Sequence, residues 1–155
     1  MKKLLILSIM VVAFFATGTA HTIDDVFNAF TKDKNAELVN LPNLEDVIQT
    51  KINDDKDDEV IAASRKIESV RMLKVDKATV EQKQRARKIA TEGINGMEEL
   101  LTVNENGEDV TIFVAMNGEK IVQMLIFAID TDDLAIVSLT GDLEMNDIKK
   151  ICLFN

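Results

Sequence analysis

Between residues 98 and 143 the chain is a succession of apolar stretches cut by reversal signals, and that pattern leaves few folds open. Asn106-Gly107 and Asn117-Gly118 are each a favoured pair for a two-residue hairpin loop, whose central positions take positive φ. Asp130–Asp133 supplies a third reversal. Between these turns run Glu98–Val103, Asp109–Met116, Lys120–Ile129 and Leu134–Thr140, which predicts a four-stranded antiparallel meander. In Asp109–Met116, Val110, Ile112, Val114 and Met116 share one face while Thr111, Phe113 and Ala115 share the other. Ile121–Ile129 is apolar on both faces apart from Gln123. Such a strand lies inside a sheet covered on both sides, or in a sheet that meets a second chain. The plainer expectation is helices over one face and loops or the N-terminal helix over the other.

The rest of the chain reads as helices with two further extended segments. Thr22 and Asp25 come close to a capping box, ahead of Ile23, Val26, Phe27 and Phe30 at helical spacing. Glu37–Leu41 reads as a brief strand stopped by Pro42. Asn43 can cap a helix that buries Leu44, Val47, Ile48 and Ile52, and an acidic turn follows at 53–59. A helical turn over Val60–Lys66 precedes the extended stretch Glu68–Val75. Thr79, with Gln82 in the reciprocal position, opens the longest helix. Its stripe is Ala86, Ile89, Ala90, Gly93 and Met97, and Gly93 or Gly96 ends it. Gly141 and Asp142 are expected to start a short helix around Asn146–Cys152. With no repeat and no linker, residues 21–155 are expected to form one α+β domain, an antiparallel β-meander sheet packed against helices.

Residues 1–20 have the form of a secretory signal peptide: Lys2 and Lys3, an apolar run from Leu4 to Phe15, then a small-residue stretch ending at Ala20. The run is shorter than the roughly 20 apolar residues that span a bilayer. Cleavage before His21 is therefore expected, with a periplasmic or extracellular product, no stable membrane insertion, and His21 as a mobile first residue. Trimming removes two lysines and deepens a formal net charge of −9. Phosphate backbones and anionic headgroups repel such a chain, so nucleic acid is not an expected partner.

Chemistry is sparse. One histidine, His21, and one cysteine, Cys152, leave no set of zinc ligands and no usual base for a serine nucleophile, although Ser64, Ser69 and Ser138 could in form use a lysine. Cys152 is expected to be buried as a small apolar residue beside Ile148 and Ile151. Carboxylates cluster at 53–59 and at Asp130, Asp132 and Asp133, but neither cluster follows the helix–loop–helix calcium pattern, and solvated turns are the expected reading. The absence of tryptophan and tyrosine argues against a carbohydrate site, and Phe27, Phe30, Phe113, Phe127 and Phe154 sit at core-like spacings. Lys83, Arg85, Arg87 and Lys88 form the one basic stretch, either the outer face of an amphipathic helix or a docking face for an acidic partner.

These segments resemble a known family. The stretch Gly93-Ile94-Asn95-Gly96-Met97-Glu98-Glu99-Leu100-Leu101, the turn Asn104–Gly107 and the strand Val110–Val114 form its middle signature. Leu125–Ile129 and Leu134–Leu143 form its end, and Ile67–Val75 followed by the Thr79 helix fits the same layout. Together they resemble domain-of-unknown-function family 4252, small exported bacterial proteins. The resemblance implies an exported α+β domain and brings no catalytic residues and no cofactor. The expected function is non-enzymatic binding of an envelope protein, or self-association through the sheet. The alternative is a small calcium-dependent or acid/base enzyme using the acidic turns.

Overall fold

The computed structural model describes residues 20–41 and 58–152, without the side chains of 58–60 and 150–152. The expected helix from Asn43, most of the acidic turn at 53–59, Phe154, the side chain of Cys152 and all of the expected leader except Ala20 lie outside the described residues.

In chain order the elements are α1 (Ile23–Asn28), β1 (Ala36–Leu41), α2 (Asp58–Ser64), β2 (Ile67–Val75), α3 (Val80–Glu92), β3 (Glu98–Glu105), β4 (Glu108–Asn117), β5 (Lys120–Ile129), β6 (Leu134–Leu143) and α4 (Met145–Cys152). The six strands form one sheet in the order β1-β2-β6-β5-β4-β3, antiparallel throughout. The predicted meander is its β3–β6 portion. The β1–β2 pair joins through β6, and α3 carries the chain from β2 to the far edge at β3.

The hairpin loops follow from local chemistry. At the β3–β4 turn, Glu105 pairs with Glu108, and Asn106 (φ 54°) and Gly107 (φ 83°) both take the positive φ that a type I′ loop requires. At the β4–β5 turn the loop lies one residue later than the Asn117-Gly118 pair suggests. Asn117 is still in β4 and pairs with Lys120, leaving Gly118 and Glu119 as the two loop residues. Gly118 has φ 64°, and glycine at the first of two loop positions is the II′ arrangement. Gly141 also departs from expectation. It lies within β6 opposite Ile67, not at a helix start. A Cβ there would sit 2.3 Å from the Lys66 carbonyl oxygen, so this glycine permits close backbone approach between β6 and β2. The helix begins instead at Met145, where the Glu144 N–H donates to Asp147 Oδ2 (2.8 Å).

Both α1 and α3 cover the same face. Both are opened by complete capping boxes, at Thr22/Asp25 and Thr79/Gln82. Val26, Phe27 and Phe30 of this N-terminal region, with Ala86 and Ile89 of α3, close over Leu73, Val75, Phe113, Leu125, Phe127 and Ile136. The N-terminal helix therefore does not cover the opposite face. Its start is tied to the end of α3, because His21 donates its N–H to the Gly93 carbonyl (3.1 Å) and accepts from the Asn95 N–H (2.8 Å). The His21 ring also contacts Glu92, so His21 is held in place and is not a loose end. The opposite face has its own cluster around Val70, Ile121, Met124, Leu139 and Leu143, reached by Ile148 of α4, with α2 packed against α4. Lys66 Nζ and the buried Asp147 carboxylate (2.9 Å) tie the segment after α2 to α4. Among the described residues no helix is long and apolar enough to cross a membrane.

Candidate functional site

Among the described residues the second face packs against α4 at the end where β2 and β5 begin and β6 finishes. Strand pairing lines up one row of side chains across this face: Val39 opposite Met72, Met72 opposite Val137, Val137 opposite Ile126, Ile126 opposite Ile112, and Ile112 opposite Leu101. Every strand contributes one member and all six are apolar. Ile112 is buried, Leu101 is exposed, and the other four are only half-buried. In the next row Ala135, Ala128, Val110 and Val103 follow from β6 to β3, while Lys74 and Glu37 occupy the β1 side. The open part of the face thus grows more apolar toward β3. Period-two alternation puts these residues together within each strand, and the antiparallel register aligns them across strands.

Among the described residues the sheet ends at β3. All eight of its residues are exposed, including Leu100, Leu101 and Val103. A single irregularity between Glu99 and Leu101 interrupts its pairing with β4, after which the ladder runs regularly to Glu105. Glu98, Leu101, Val103 and Glu105 stand on the open apolar face; Glu99, Thr102 and Asn104 stand on the helix side. There, a groove of about 440 Å³ separates α3 from β3 and β4 and is floored by Phe127 and Ile129. A second groove of about 370 Å³ lies at the start of α1, where Arg71 pairs with Asp24 (2.9 Å) and stacks on Phe27 (4.2 Å from the ring centre).

The basic stretch is not gathered into one surface. Arg85 turns toward α1, donating to the Ala29 carbonyl and to Asp33 (both 2.9 Å) while lying over the Phe30 ring. Arg87 turns the other way, to Asp109 of β4 (2.7 Å). Lys83 bonds the Thr131 carbonyl, and Lys88 lies 3.8 Å from Glu92 one turn on. Lys83, Arg85 and Arg87 tie α3 to its neighbours, while Lys88 pairs within the helix. Gln82, on the buried side of the same helix, was not legible as a core residue; it is satisfied by Asn35, Asp33 and the Thr79 N–H.

The acidic turn between β5 and β6 also has structural work. Asp133 Oδ1 accepts the Lys77 N–H (3.1 Å), the Asp132 carbonyl accepts the Ala78 N–H (2.6 Å), and Asp130 Oδ1 accepts the Thr131 N–H (2.6 Å). This clamps the β2–α3 connection to the turn. Among the described residues no group of three or more histidines, cysteines and carboxylates is placed to hold a metal ion. Ser64 donates to the Ile61 carbonyl, Ser69 shares a hydrogen bond with Thr140, and none of Ser64, Ser69 and Ser138 bonds an imidazole, amine or carboxylate there. Among the described residues the perturbed titrating groups lie at the surface: hydrogen bonding with Glu144 raises the Lys120 pKa, and the same bond lowers that of Glu144. Asp76 likewise raises Lys74 by a hydrogen bond.

Among the described residues these features define a helix-backed antiparallel sheet with one face partly exposed and β3 at one edge. A family model described as a domain of unknown function (DUF4252) matches residues 27–151, and the chain belongs to that family. The match begins within α1 and ends within α4. No curated protein and no solved structure matches the chain.

Proposed function

We propose that the chain is an exported, non-enzymatic binding domain, and that its working surface is the open part of the sheet. The observation that carries this reading is the six-residue apolar row from Val39 to Leu101, five of whose members keep solvent exposure while Ile112 is buried. A continuous apolar patch on a monomer usually marks an interaction site. The binding reading favours the sheet over the basic helix because Arg85 and Arg87 already have carboxylate partners. The leader-like residues 1–20 and the acidic surface support an envelope protein as the partner, in preference to nucleic acid or an anionic membrane.

The test is capture from a native envelope extract by the purified chain, run beside the variants Ile126→Lys and Lys88→Ala. The expected result is a specifically retained protein that Ile126→Lys loses and Lys88→Ala keeps. If no retained species depends on Ile126, the binding reading fails. Lower stability of Ile126→Lys with unchanged retention would mean that the chain's own residues cover the row.

A further inference from the structure

We infer that the β3 edge accepts an extended peptide strand carrying apolar side chains at alternate positions and a basic residue at each end, which adds to the sheet as a seventh strand. This rests on the binding role of the sheet and specifies the partner for its edge.

Exposed edges in folded proteins are commonly blunted by short length, proline, bulges or charged side chains, lysine above all, because their unpaired N–H and C=O groups template further pairing. Over its eight residues β3 has neither proline nor lysine; its acidic residues Glu98, Glu99 and Glu105 stand at its two ends, and its one irregularity precedes Leu101, which leaves Leu101–Asn104 regular and uncharged. The opposite edge, β1, has six residues and is followed in sequence by Pro42. On the open face β3 presents the sequence of groups Glu98, Leu101, Val103, Glu105. The two apolar rows described above run to Leu101 and Val103 and end there, so a seventh strand with apolar residues at these positions would continue both.

Charge settles what kind of strand fits. Glu105 and Glu108 face each other directly across the β3–β4 ladder, and among the described residues no cation pairs with either of them or with Glu98. Like charges placed opposite one another destabilise a sheet, and an opposite charge across the strand reverses the sign. A lysine or arginine arriving beside Glu105 relieves that repulsion, and another at the far end meets Glu98. A second copy of the chain cannot supply this. Two β3 strands paired antiparallel bring Glu105 of one against Glu98 or Glu99 of the other, in a chain already at net −9. Strand addition draws affinity from main-chain hydrogen bonds and specificity from alternate side chains, which matches a bare edge with an apolar, acid-flanked row.

The probe is a fluorescein-labelled heptapeptide of sequence lysine-threonine-valine-threonine-isoleucine-threonine-lysine, titrated into the purified chain by fluorescence anisotropy. Expected are saturable binding, at least tenfold weaker binding when both lysines are replaced by glutamate, and at least tenfold weaker binding when alternate backbone amides on the pairing edge are N-methylated. The double variant Glu98→Lys/Glu105→Lys should reverse the preference toward the glutamate peptide, and the bound wild-type complex should protect amides of β3 from hydrogen exchange. Equal binding of the lysine and glutamate peptides, no effect of N-methylation, or no binding at millimolar peptide would overturn the inference. So would dimerisation of the chain alone, in sedimentation, that Val103→Lys abolishes. Should the peptide fail while envelope capture still depends on Ile126, the edge assignment falls and the sheet-face reading stands; loss of that dependence removes the binding reading itself.

Discussion

Phe127 and Ile126 are neighbours in the chain and point to opposite sides of β5. Phe127 is 1% exposed, set edge-to-face against Phe113 (6.0 Å between ring centres) beneath α3. Ile126 is half-buried in a row that no described element covers. The strand itself is nearly as apolar on one side as on the other, so strand composition does not decide which face is finished. Helix placement does. The single crossover from β2 to β3 lays α3 on one face, and the hydrogen bonds of His21 to Gly93 and Asn95 bring α1 to the same side. The second face is left with α4, which is anchored at one end by the Lys66–Asp147 pair.

Substitutions across this divide should separate by size. Phe127→Ala should cost about 3–5 kcal/mol in urea unfolding, the range for removing a large buried aromatic. Ile126→Ala should cost clearly less; equal losses would show that the second face is as tightly sealed as the first. Gly141→Ala is next, at about 1–3 kcal/mol by the same measurement, because the added methyl meets the Lys66 carbonyl at 2.3 Å and one strand must shift. A neutral Gly141→Ala would show that β2 and β6 can separate locally without loss. Thr22→Ala should cost about 1 kcal/mol as a lost N-cap on the sealed face.

That cap carries a pH signature. The Thr22 N–H and hydroxyl hold the exposed Asp25 carboxyl below the ordinary aspartate range. A depressed folded-state pKa means that the contribution is present above the ordinary carboxylate pKa and lost as pH falls below it. Thermal melts over the acid range should therefore show a slightly shallower decline for Thr22→Ala than for the wild type. The smallest effect is expected at the bare edge. Leu101→Ala should change stability by no more than about 0.5 kcal/mol, since an exposed side chain has little burial to lose. A larger loss would mean that Leu101 is already covered.

Much of this architecture was open to inspection in the residues. The two capping boxes, the period-two alternation of β4, and the reversals near 106, 118 and 130 are local signals, and each strand and helix expected within the described residues is present. Gly118 and Gly141 show where local signals mislead. Asn117-Gly118 resembles the Asn106-Gly107 pair, yet β4–β5 register places only the glycine in the loop. Gly141 resembles a helix-start signal, while its small size serves contact with a strand more than seventy residues earlier in the chain. The candidate surface was less visible still. Basic residues 83–88 stand out as a run, but their directions around α3 and their partners on α1 and β4 are set by packing. Val39, Met72, Val137, Ile126, Ile112 and Leu101 are scattered over almost a hundred residues and carry no motif.

Periodicity, caps and turn residues act over a few positions, and they alone determined which segments are strands and helices and, to within a residue, where the β3–β6 chain reverses. Only the tertiary structure decided that β6 stands between β2 and β5, that α1 and α3 share a face, and that β3 stands at an edge of the described sheet. Those outcomes depend on hydrogen-bond register and apolar burial between residues distant in the chain, energies that no short window of sequence contains.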